Sequence, residues 1–367
     1  MQKPMFHRLH GVRHVFLESG LSVIELLITM VLGLLLTLGV TQIYLSSSVT
    51  YRQTEGLAYA QESTRFVSAM LTPELRSAGS FGCLAHMGRP LKKIVDNRLS
   101  GNLIVPLTQA LQGWEYTGTG PGDAITLART LSTPSAGHWD SGTAGIDLPT
   151  SLEGSVVVNA DVIMVNTLTP LGVEVGAVTN PGDSVINLAD ASGVSAGRNV
   201  LATRGDCSKG ELFQNSDAAS RSTITTVSNT FGLGYDLQTR LYAFATMAYY
   251  IGEGTSGEPA LFRRLMTPLQ NPQELVSGVE TLQILYGVDT GGSNAADAYI
   301  PADEVADWDT VASVRFSVMT RSPSDVLDEE NSRNFDMLGS EIAQANNGDR
   351  RLRLVSVSTA ALRGKME

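Results

Sequence analysis

The sequence is poor in cysteine, histidine and aromatic residues. Its 367 residues include two cysteines and five histidines, and 6% are Phe, Trp or Tyr. Two cysteines are too few for a disulfide framework, and Cys83 and Cys207 lack the spacing of a zinc site. They can form one bridge, or they can remain two unrelated buried thiols. A bridge closing a loop of this size would stabilise the fold by about 4–5 kcal/mol in the chain-entropy model.

The chain is also short of positive charge. It has 26 Lys and Arg against 37 Asp and Glu, which gives a formal net charge of -11. Proteins that bind nucleic acid neutralise phosphates with clustered Lys and Arg. No basic stripe interleaved with aromatic residues is present here. We therefore expect no nucleic-acid partner.

Motifs for catalysis, metals and cofactors are missing as well. Three of the five histidines lie within the first 20 residues, leaving His86 and His138. Neither has partners at catalytic or zinc spacing, and no glycine-rich phosphate-binding motif opens a helix. We expect no enzyme, no cofactor and no metal site. Five aspartates surround Asn294 without the spacing of an EF-hand, and we interpret them as solvated loop carboxylates rather than a Ca²⁺ site: Asp289, Asp297, Asp303, Asp307 and Asp309.

One long apolar run stands near the N-terminus. Leu21–Leu45 holds 25 residues with a single charge, Glu25. At about 1.5 Å per residue, a helix of this length crosses a bilayer core. Lys3, Arg8 and Arg13 precede the run and predict a cytoplasmic N-terminus, which places the remaining chain across the membrane. A cleaved signal peptide is disfavoured because the run is longer than such signals usually carry.

Glu25 is an unusual residue for a simple membrane anchor. A carboxylate near the bilayer centre costs about 2.5–3.5 kcal/mol on insertion scales, and less near the interface. Glu25 lies at the fifth position of the apolar run. Unless its side chain merely reaches the headgroups, it is a functional residue that requires a partner.

These residues resemble a known signal. Glu18-Ser19-Gly20 followed by Leu21-Ser-Val-Ile-Glu25 is similar to the class III prepilin signal of type IV pilins and type II secretion pseudopilins. The resemblance implies that residues 1–20 are a leader and that prepilin peptidase cuts after Gly20. It also implies N-methylation of Leu21, where the family usually has Phe, and a role for Glu25 in helix register.

Electrostatics support that role for Glu25. Cleavage would create a cationic α-amino group on Leu21 at the edge of the apolar helix. Opposite charges 4 Å apart attract by about 4 kcal/mol at an effective dielectric of 20. Pairing of Glu25 with that amine, in a neighbouring chain or its own, would offset the cost of burying either charge alone.

The sequence predicts that the helix extends over 21–79, with 21–45 in the membrane. An apolar stripe continues at three- and four-residue steps beyond the membrane, and Pro73 should end or kink the helix. The stripe consists of Leu57, Ala60, Thr64, Val67, Leu71 and Leu75. Short β-branched stretches follow it. We expect an α+β fold, in which this helix packs on a β-rich, mainly antiparallel domain over 80–367.

The β-rich domain is predicted to contain a loop-rich insertion over about 84–239. Within it, 113–154 is rich in Gly, Thr, Ser and Pro and indicates surface loops. We expect a helical turn from Asn271 to Gly278. The predicted strands are Ser155–Val158, Asp161–Thr167, Ser184–Leu188, Ser222–Val227, Leu241–Ile251, Val279–Val288, Val311–Met319 and Leu352–Ala361.

The C-terminal part resembles the PilW-like branch of minor pilins. The resemblance lies in residues 260–264, 274–280, 285–289, 308–311 and 351–363, and with the N-terminal signal it covers about 21–83 and 240–363. It implies a minor pilin of a type IV pilus that joins a minor-pilin complex initiating or capping assembly. The implied location is the inner membrane, with the C-terminal domain in the periplasm, and then the pilus. That oxidising compartment favours the Cys83–Cys207 bridge.

The resemblance also implies a set of partners. These are prepilin peptidase, other minor pilins, the major pilin, the inner-membrane assembly platform and, before assembly, membrane lipid. A type II secretion pseudopilin is the alternative within the same class. An adhesin or ligand-binding module carried on a pilin stem would place its activity in 84–239. A signal-anchored periplasmic enzyme is the remaining alternative.

Overall fold

The structure is a computed structural model. It describes residues 22–87, 94–99, 103–107, 109–128, 130–134, 137–143, 145–227, 230–344 and 349–363. The chain divides into two compact units, Met1–Tyr51 and Arg52–Glu367. The leader, including Gly20 and Leu21, lies outside the described residues.

A single α-helix, α1, runs from Val23 to Ser77. The sequence favours it because leucine, a good helix former, is the most frequent residue of this segment and no proline occurs between Val23 and Thr72. Pro73 lies inside the helix, so of the two expected effects, an end or a kink, it does not end the helix. Proline removes one backbone bond, and here little more than one turn remains after it, so the loss is small.

The rest of the described chain is mostly β-structure, joined by turns and three short 3₁₀ segments at Gly82–Met87, Ala302–Glu304 and Trp308–Thr310. The strands are β1 (Val95–Asn97), β2 (Leu111–Tyr116), β3 (Ala124–Leu127), β4 (Trp139–Asp140), β5 (Val162–Pro170), β6 (Val185–Asn187), β7 (Asn199–Thr203), β8 (Gly210–Gln214), β9 (Thr223–Thr225), β10 (Arg240–Glu253), β11 (Pro259–Leu265), β12 (Gln273–Ser277), β13 (Val279–Val288), β14 (Ala298–Ile300), β15 (Val311–Arg321), β16 (Phe335–Met337), β17 (Ser340–Gln344) and β18 (Arg353–Ala361).

These strands form four sheets within the described ranges. The largest has the order β1-β8-β7-β10-β5-β2-β4, and β11 and β12 extend it from β10. A second sheet has the order β14-β13-β15-β18, a third β16-β17-β3, and β6 pairs with β9. The pairings are antiparallel except β1 with β8 and β17 with β3. The expected α+β architecture with mainly antiparallel sheets is confirmed.

The second half of α1 packs on the core with one face. Its buried residues include Val67, Leu71 and Leu75, which join Phe316 and Val318 of β15 in the largest hydrophobic cluster. The predicted stripe is correct from Ala60 onward, whereas Leu57 is exposed. Burying a Leu or Val side chain contributes roughly 1.5–3 kcal/mol, so this face holds the helix on the sheet.

Seven of the eight predicted strands correspond to observed ones, and β13 has the predicted bounds. Two predictions are wrong. Residues 155–158 form turns and a bend, although Val156 and Val157 are buried. The Val157 N–H donates to the Ile251 carbonyl of β10 at 2.9 Å, but the Val158 N–H donates to Ser132, so no ladder forms. The expected helical turn over 271–278 is strand β12, which completes its hydrogen bonds by pairing with β11.

The region predicted as an insertion is built into the same sheets as the C-terminal region. Strands β2 and β5 lie on one side of β10, and β3 pairs with β17. The described part of 113–154 is held by tryptophan side chains, because all three tryptophan indoles donate to backbone carbonyls between 141 and 160. Trp114 donates to Ile146 at 2.7 Å, Trp139 to Ala160 at 2.9 Å and Trp308 to Ser141 at 3.1 Å.

Candidate functional site

The first described residues form a reciprocal cap at the start of α1. The backbone N–H of Ser22 donates to Oε2 of Glu25 at 3.3 Å, and the Ser22 hydroxyl accepts from the N–H of Ile24 at 3.3 Å. This arrangement is a capping box, in which a serine hydroxyl and the carboxylate of a glutamate three residues later each accept a hydrogen bond from a backbone N–H of the first turn. Glu25 is thereby positioned within the first helical turn, four residues from Leu21, the predicted new N-terminus.

The helix between Ser22 and Thr50 presents an apolar surface. Its large hydrophobic side chains are exposed, and the helix is long and apolar enough to cross a membrane, with a mean hydropathy of 2.5 in its most apolar window. The hydroxyls of Thr29, Thr37 and Thr41 donate to carbonyls one turn earlier at 2.8 to 3.0 Å. These polar groups are satisfied within the helix, as a lipid environment requires.

Glu25 therefore differs from every other side chain in this apolar segment. Between Ser22 and Thr50, it is the single Asp, Glu, Lys or Arg in the sequence. Its carboxylate accepts a hydrogen bond from the backbone N–H of Ser22. A carboxylate has room for several donors, so Glu25 retains capacity for a cationic partner.

The second half of α1 contacts the sheet through polar as well as apolar groups. The Thr320 hydroxyl on β15 donates to the carbonyl of Ala60 at 3.0 Å and lies 2.8 Å from the hydroxyl of Thr64. On β18, the Ser358 hydroxyl donates to the Ser68 hydroxyl at 3.1 Å. These buried or half-buried bonds fix the register of the helix on β15 and β18.

A close approach requires glycine at position 56. A Cβ atom built on Gly56 would lie 3.0 Å from Cγ2 of Val326 and 3.2 Å from Cβ of Ser322. By contrast, a Cβ on Gly33 or Gly39 in the apolar half would meet no atom of the described chain within 4 Å. Gly56 thus serves packing within the domain, whereas Gly33 and Gly39 contact no part of the described chain in this way.

Arginines and glutamates form a connected network on the sheet β14-β13-β15-β18, which packs against α1 and is here called the helix-bearing sheet. Glu280 on β13 accepts from Arg321 on β15 at 2.8 Å and from Arg353 on β18 at 2.8 Å. Glu258, just before β11, accepts from both terminal nitrogens of Arg351 at 2.8 and 2.9 Å, and also from Arg321. The network ties the helix-bearing sheet to the largest sheet.

The pKa values of the acids at this network follow from their partners. Burial raises the pKa of Glu258, but hydrogen bonds from Arg351 and Arg321 outweigh burial and the net direction is downward. The pKa of Asp349, which pairs with Arg353, is lowered by the same balance. Removing one member of a buried ion pair costs about 3–5 kcal/mol because the other charge is left unpaired. The network is structural.

Two further acids are buried without a basic partner. Glu115 on β2 and Asp161 before β5 are 3% and 1% exposed, and their carboxyl groups hydrogen-bond to each other. Asp161 also accepts from the N–H groups of Tyr116 at 3.1 Å and Ile284 at 2.7 Å. Burial raises the pKa of both acids, and their mutual repulsion raises that of Glu115 further.

Sequence analysis missed both the network and this acid pair. A weak signal existed, since Glu280, Arg321 and Arg353 interrupt or end otherwise apolar strand patterns. Charges at buried strand positions require partners on neighbouring strands. Which partners they find depends on strand order, and strand order was not predictable from this sequence.

The remaining predicted sites are placed as follows. The sulfur atoms of Cys83 and Cys207 are joined at 2.11 Å, with their Cα atoms 5.7 Å apart.

Asp289 and Asp297 accept backbone N–H bonds from residues 290–294, so their carboxylates cap the loop. Those bonds hold the pKa of Asp297 below its usual value, and they outweigh desolvation at Asp289 with the same result. Across the described residues, no group of three or more His, Cys, Asp or Glu could hold a metal ion.

Comparison with known proteins finds a match for the C-terminal region, which includes the strands that pack against α1. Residues 248–364 match the family model of PilW, the type IV pilus-assembly protein W. The C-terminal region of this chain is similar to PilW. The match begins within β10 and includes all of β11–β18, and with them the arginine network and the sheet that packs against α1. A search of curated proteins found no match.

The PilW match covers about a third of the chain and does not extend to the middle region. It confirms the predicted PilW-like resemblance in the C-terminal region. The matched family is one of type IV pilus assembly. The apolar half of α1 is consistent with a membrane anchor of such a protein.

Proposed function

We propose that this chain is a minor pilin of a type IV pilus. Prepilin peptidase cuts it after Gly20 and methylates Leu21, and the processed chain joins a minor-pilin complex that initiates or caps the fibre. The observation that carries the proposal is Glu25, a lone carboxylate in the first turn of an exposed apolar helix. The PilW match supports a pilus rather than a type II secretion pseudopilus.

The chemistry of assembly follows from that arrangement. Before assembly, lipid surrounds residues 23–45 and the chain is a single-pass protein of the inner membrane, with its C-terminal domain in the periplasm. Cleavage frees the cationic α-amino group of Leu21. In a bundle of such helices, that amine pairs with a Glu25 carboxylate, and the pair favours one register between neighbouring helices.

The proposed partners follow from the same exposed apolar helix and its Glu25. The exposed apolar side chains of α1 contact the equivalent helices of other minor pilins and of the major pilin. Delivery from the membrane requires the inner-membrane assembly platform. The large β-rich domain supports a low-copy subunit, because more than 280 residues after the helix would crowd a densely packed shaft.

Processing is tested by incubating the full chain in membranes with prepilin peptidase and sequencing the product. We expect a mature N-terminus at methylated Leu21, and no product from a Gly20→Val variant. Gly33→Val is the matched control, because no atom of the described chain lies within 4 Å of a Cβ at that position. Gly79→Val is unsuitable as a control because Ala110 lies against that glycine. A product that begins elsewhere, or one that has lost the whole apolar segment, would overturn the proposal.

A further inference from the structure

Strand β18 forms one edge of the helix-bearing sheet. The sheet order is β14-β13-β15-β18, and within the described chain β18 pairs with β15 alone. The pairing is regular from Ser313 with Ala361 to Arg321 with Arg353, with no register shift. At the opposite edge, β14 has three residues. Only β18, of these two edges, is long and regular.

The free backbone groups of this edge can be assigned from the ladder. Ser322 N–H donates to the Leu352 carbonyl at 2.8 Å, and Leu362 N–H donates to the Ala312 carbonyl at 2.9 Å. Bonding residues alternate in an antiparallel pair. Even-numbered residues of β18 therefore bond to β15. Odd-numbered residues, including Val355, Val357 and Thr359, direct their N–H and C=O groups away from it.

Natural edges of this length usually carry a device that prevents pairing, such as proline, lysine, a bulge or an inward-pointing charge. None of these interrupts residues 354–361, which read Leu-Val-Ser-Val-Ser-Thr-Ala-Ala. Val357 is 52% exposed and Thr359 is exposed. An unprotected edge rich in β-branched residues is suited to strand addition.

We propose that β18 pairs with an extended strand from a different pilin-type subunit of the same fibre, a partner class that rests on the function proposed above. The edge strand lies beside the second half of α1, since the Ser358 hydroxyl donates to the Ser68 hydroxyl. A subunit packed against residues 52–77 is therefore adjacent to this edge.

Charge favours a partner strand with acidic ends. Residues 350–363 contain four arginines and no carboxylate, although the chain as a whole is acidic. Arg353 is paired with Glu280, but Arg350 and Arg363 are exposed at the two ends of the strand. Acidic residues flanking the partner's strand would meet both.

A second copy of this chain is a poor partner. Two β18 strands that paired antiparallel in one continuous sheet would be related by a twofold axis perpendicular to that sheet. Such an axis reverses every element that lies along the sheet, including residues 52–77 of α1, which pack on its face. Subunits delivered from one membrane enter a fibre with their helices in the same direction. Antiparallel self-pairing would violate that condition.

The sharpest variant is Val357→Pro, because it removes one outward N–H without touching the bonds to β15. Proline is tolerated at edge positions whose N–H faces outward. Val357→Thr is the matched control, since it keeps the N–H and the β-branched shape. We expect Val357→Pro to fall at least tenfold below Val357→Thr in sheared fibres, with equal processing in membranes. Equal incorporation of the two variants would overturn the proposal.

Hydrogen exchange of the wild-type chain avoids any question of variant folding. Amides 357 and 359 should exchange rapidly in the purified, processed chain in detergent. They should exchange at least tenfold more slowly in the fibre, whereas neighbouring amides 356 and 358, bonded to β15, are slow in both. Unchanged rates at 357 and 359 would contradict strand addition.

The partner is identified with a photo-crosslinking amino acid at position 359 in cells. We expect a product that joins this chain to a strand of another leader-processed subunit. A product of twice this chain's own mass, or no product from chains present in fibres, would overturn the proposal. If wild-type chains are neither cut after Gly20 nor found in fibres, the proposed function itself fails. If they are found there and Val357→Pro is as well, the edge pairing alone fails.

Discussion

The two halves of α1 have opposite surroundings. Over 23–51 the helix exposes its large apolar side chains, and the hydroxyl of Thr37 donates to a carbonyl of the helix itself. Over 52–77 one face is buried on β15 and β18. Both halves belong to one continuous helix, but the first has a single charged residue and the second has six. They also differ in their covering surface, which the described chain supplies for the second half and not for the large apolar side chains of the first.

The largest expected effect on folding comes from Leu71, which is 1% exposed in the main core cluster. Leu71→Ala should lower the free energy of unfolding of the domain by about 2–5 kcal/mol, because it leaves a cavity as well as losing buried surface. Leu35→Ala, at an exposed position of the apolar half, is the matched control. Denaturant unfolding of both full-length variants in detergent measures the difference. A comparable loss from Leu35→Ala would erase the distinction between the halves.

A second pair of variants compares the two kinds of glycine. Gly56→Leu should destabilise the domain by about 1–3 kcal/mol, because Val326 and Ser322 already occupy the space around it. Gly33→Leu should leave domain stability unchanged, since no atom of the described chain lies within 4 Å of its Cβ position. Thermal unfolding of the two variants side by side provides the measurement. Tolerance of leucine at position 56 would mean that the helix does not pack there as described.

The buried acids of the β-rich unit give a pH dependence whose sign can be derived. The pKa values of Glu115 and Asp161 are raised in the folded state, so folding is favoured when both are protonated. Their contribution is complete below their unfolded values near pH 4 and is lost as pH rises through the folded ones. We expect wild-type stability to fall between pH 5 and pH 8, by at most about 1.4 kcal/mol per pH unit for each proton released.

Glu115→Gln tests the origin of that slope. Glutamine resembles the protonated acid and can still accept from the Thr119 hydroxyl, which lies 3.0 Å from Oε1 of Glu115. The variant should therefore show a flatter stability profile between pH 5 and pH 8. Asp303 and Tyr286, whose pKa values are also raised, remain in place as a common background. A profile that runs parallel to the wild type would assign the slope to other groups.

The sequence was informative where local chemistry decides the outcome. The apolar run, the stripe from Ala60 to Leu75 and the run Val279–Val288 each predicted their element correctly. It failed at residues 271–278, where the pattern suggested a helical turn and pairing with β11 produced a strand. Local propensity is weak in such short segments, so the neighbouring strand that is available for pairing determines the secondary structure.

The candidate site shows the same division. Ser22 and Glu25 are three residues apart, a spacing that a sequence motif can capture, and their contact follows from helix geometry. The bonds of Thr64 to Thr320 and of Glu280 to Arg353 join residues far apart in the chain. Their formation depends on which strands become neighbours. No single sequence carries that information in a readable pattern.

The account rests on Glu25 as a charge used between subunits and not within the domain. Glu25→Gln keeps an acceptor for the Ser22 N–H, so the helix cap and the domain are preserved while the charge is lost. Glu55→Gln, at an exposed position of the second half, is the matched control. The decisive measurement is the amount of each variant in sheared fibres relative to the amount processed in membranes. We predict normal processing for both and a fall of at least tenfold in fibre incorporation for Glu25→Gln alone. Equal incorporation of the two variants would contradict the account.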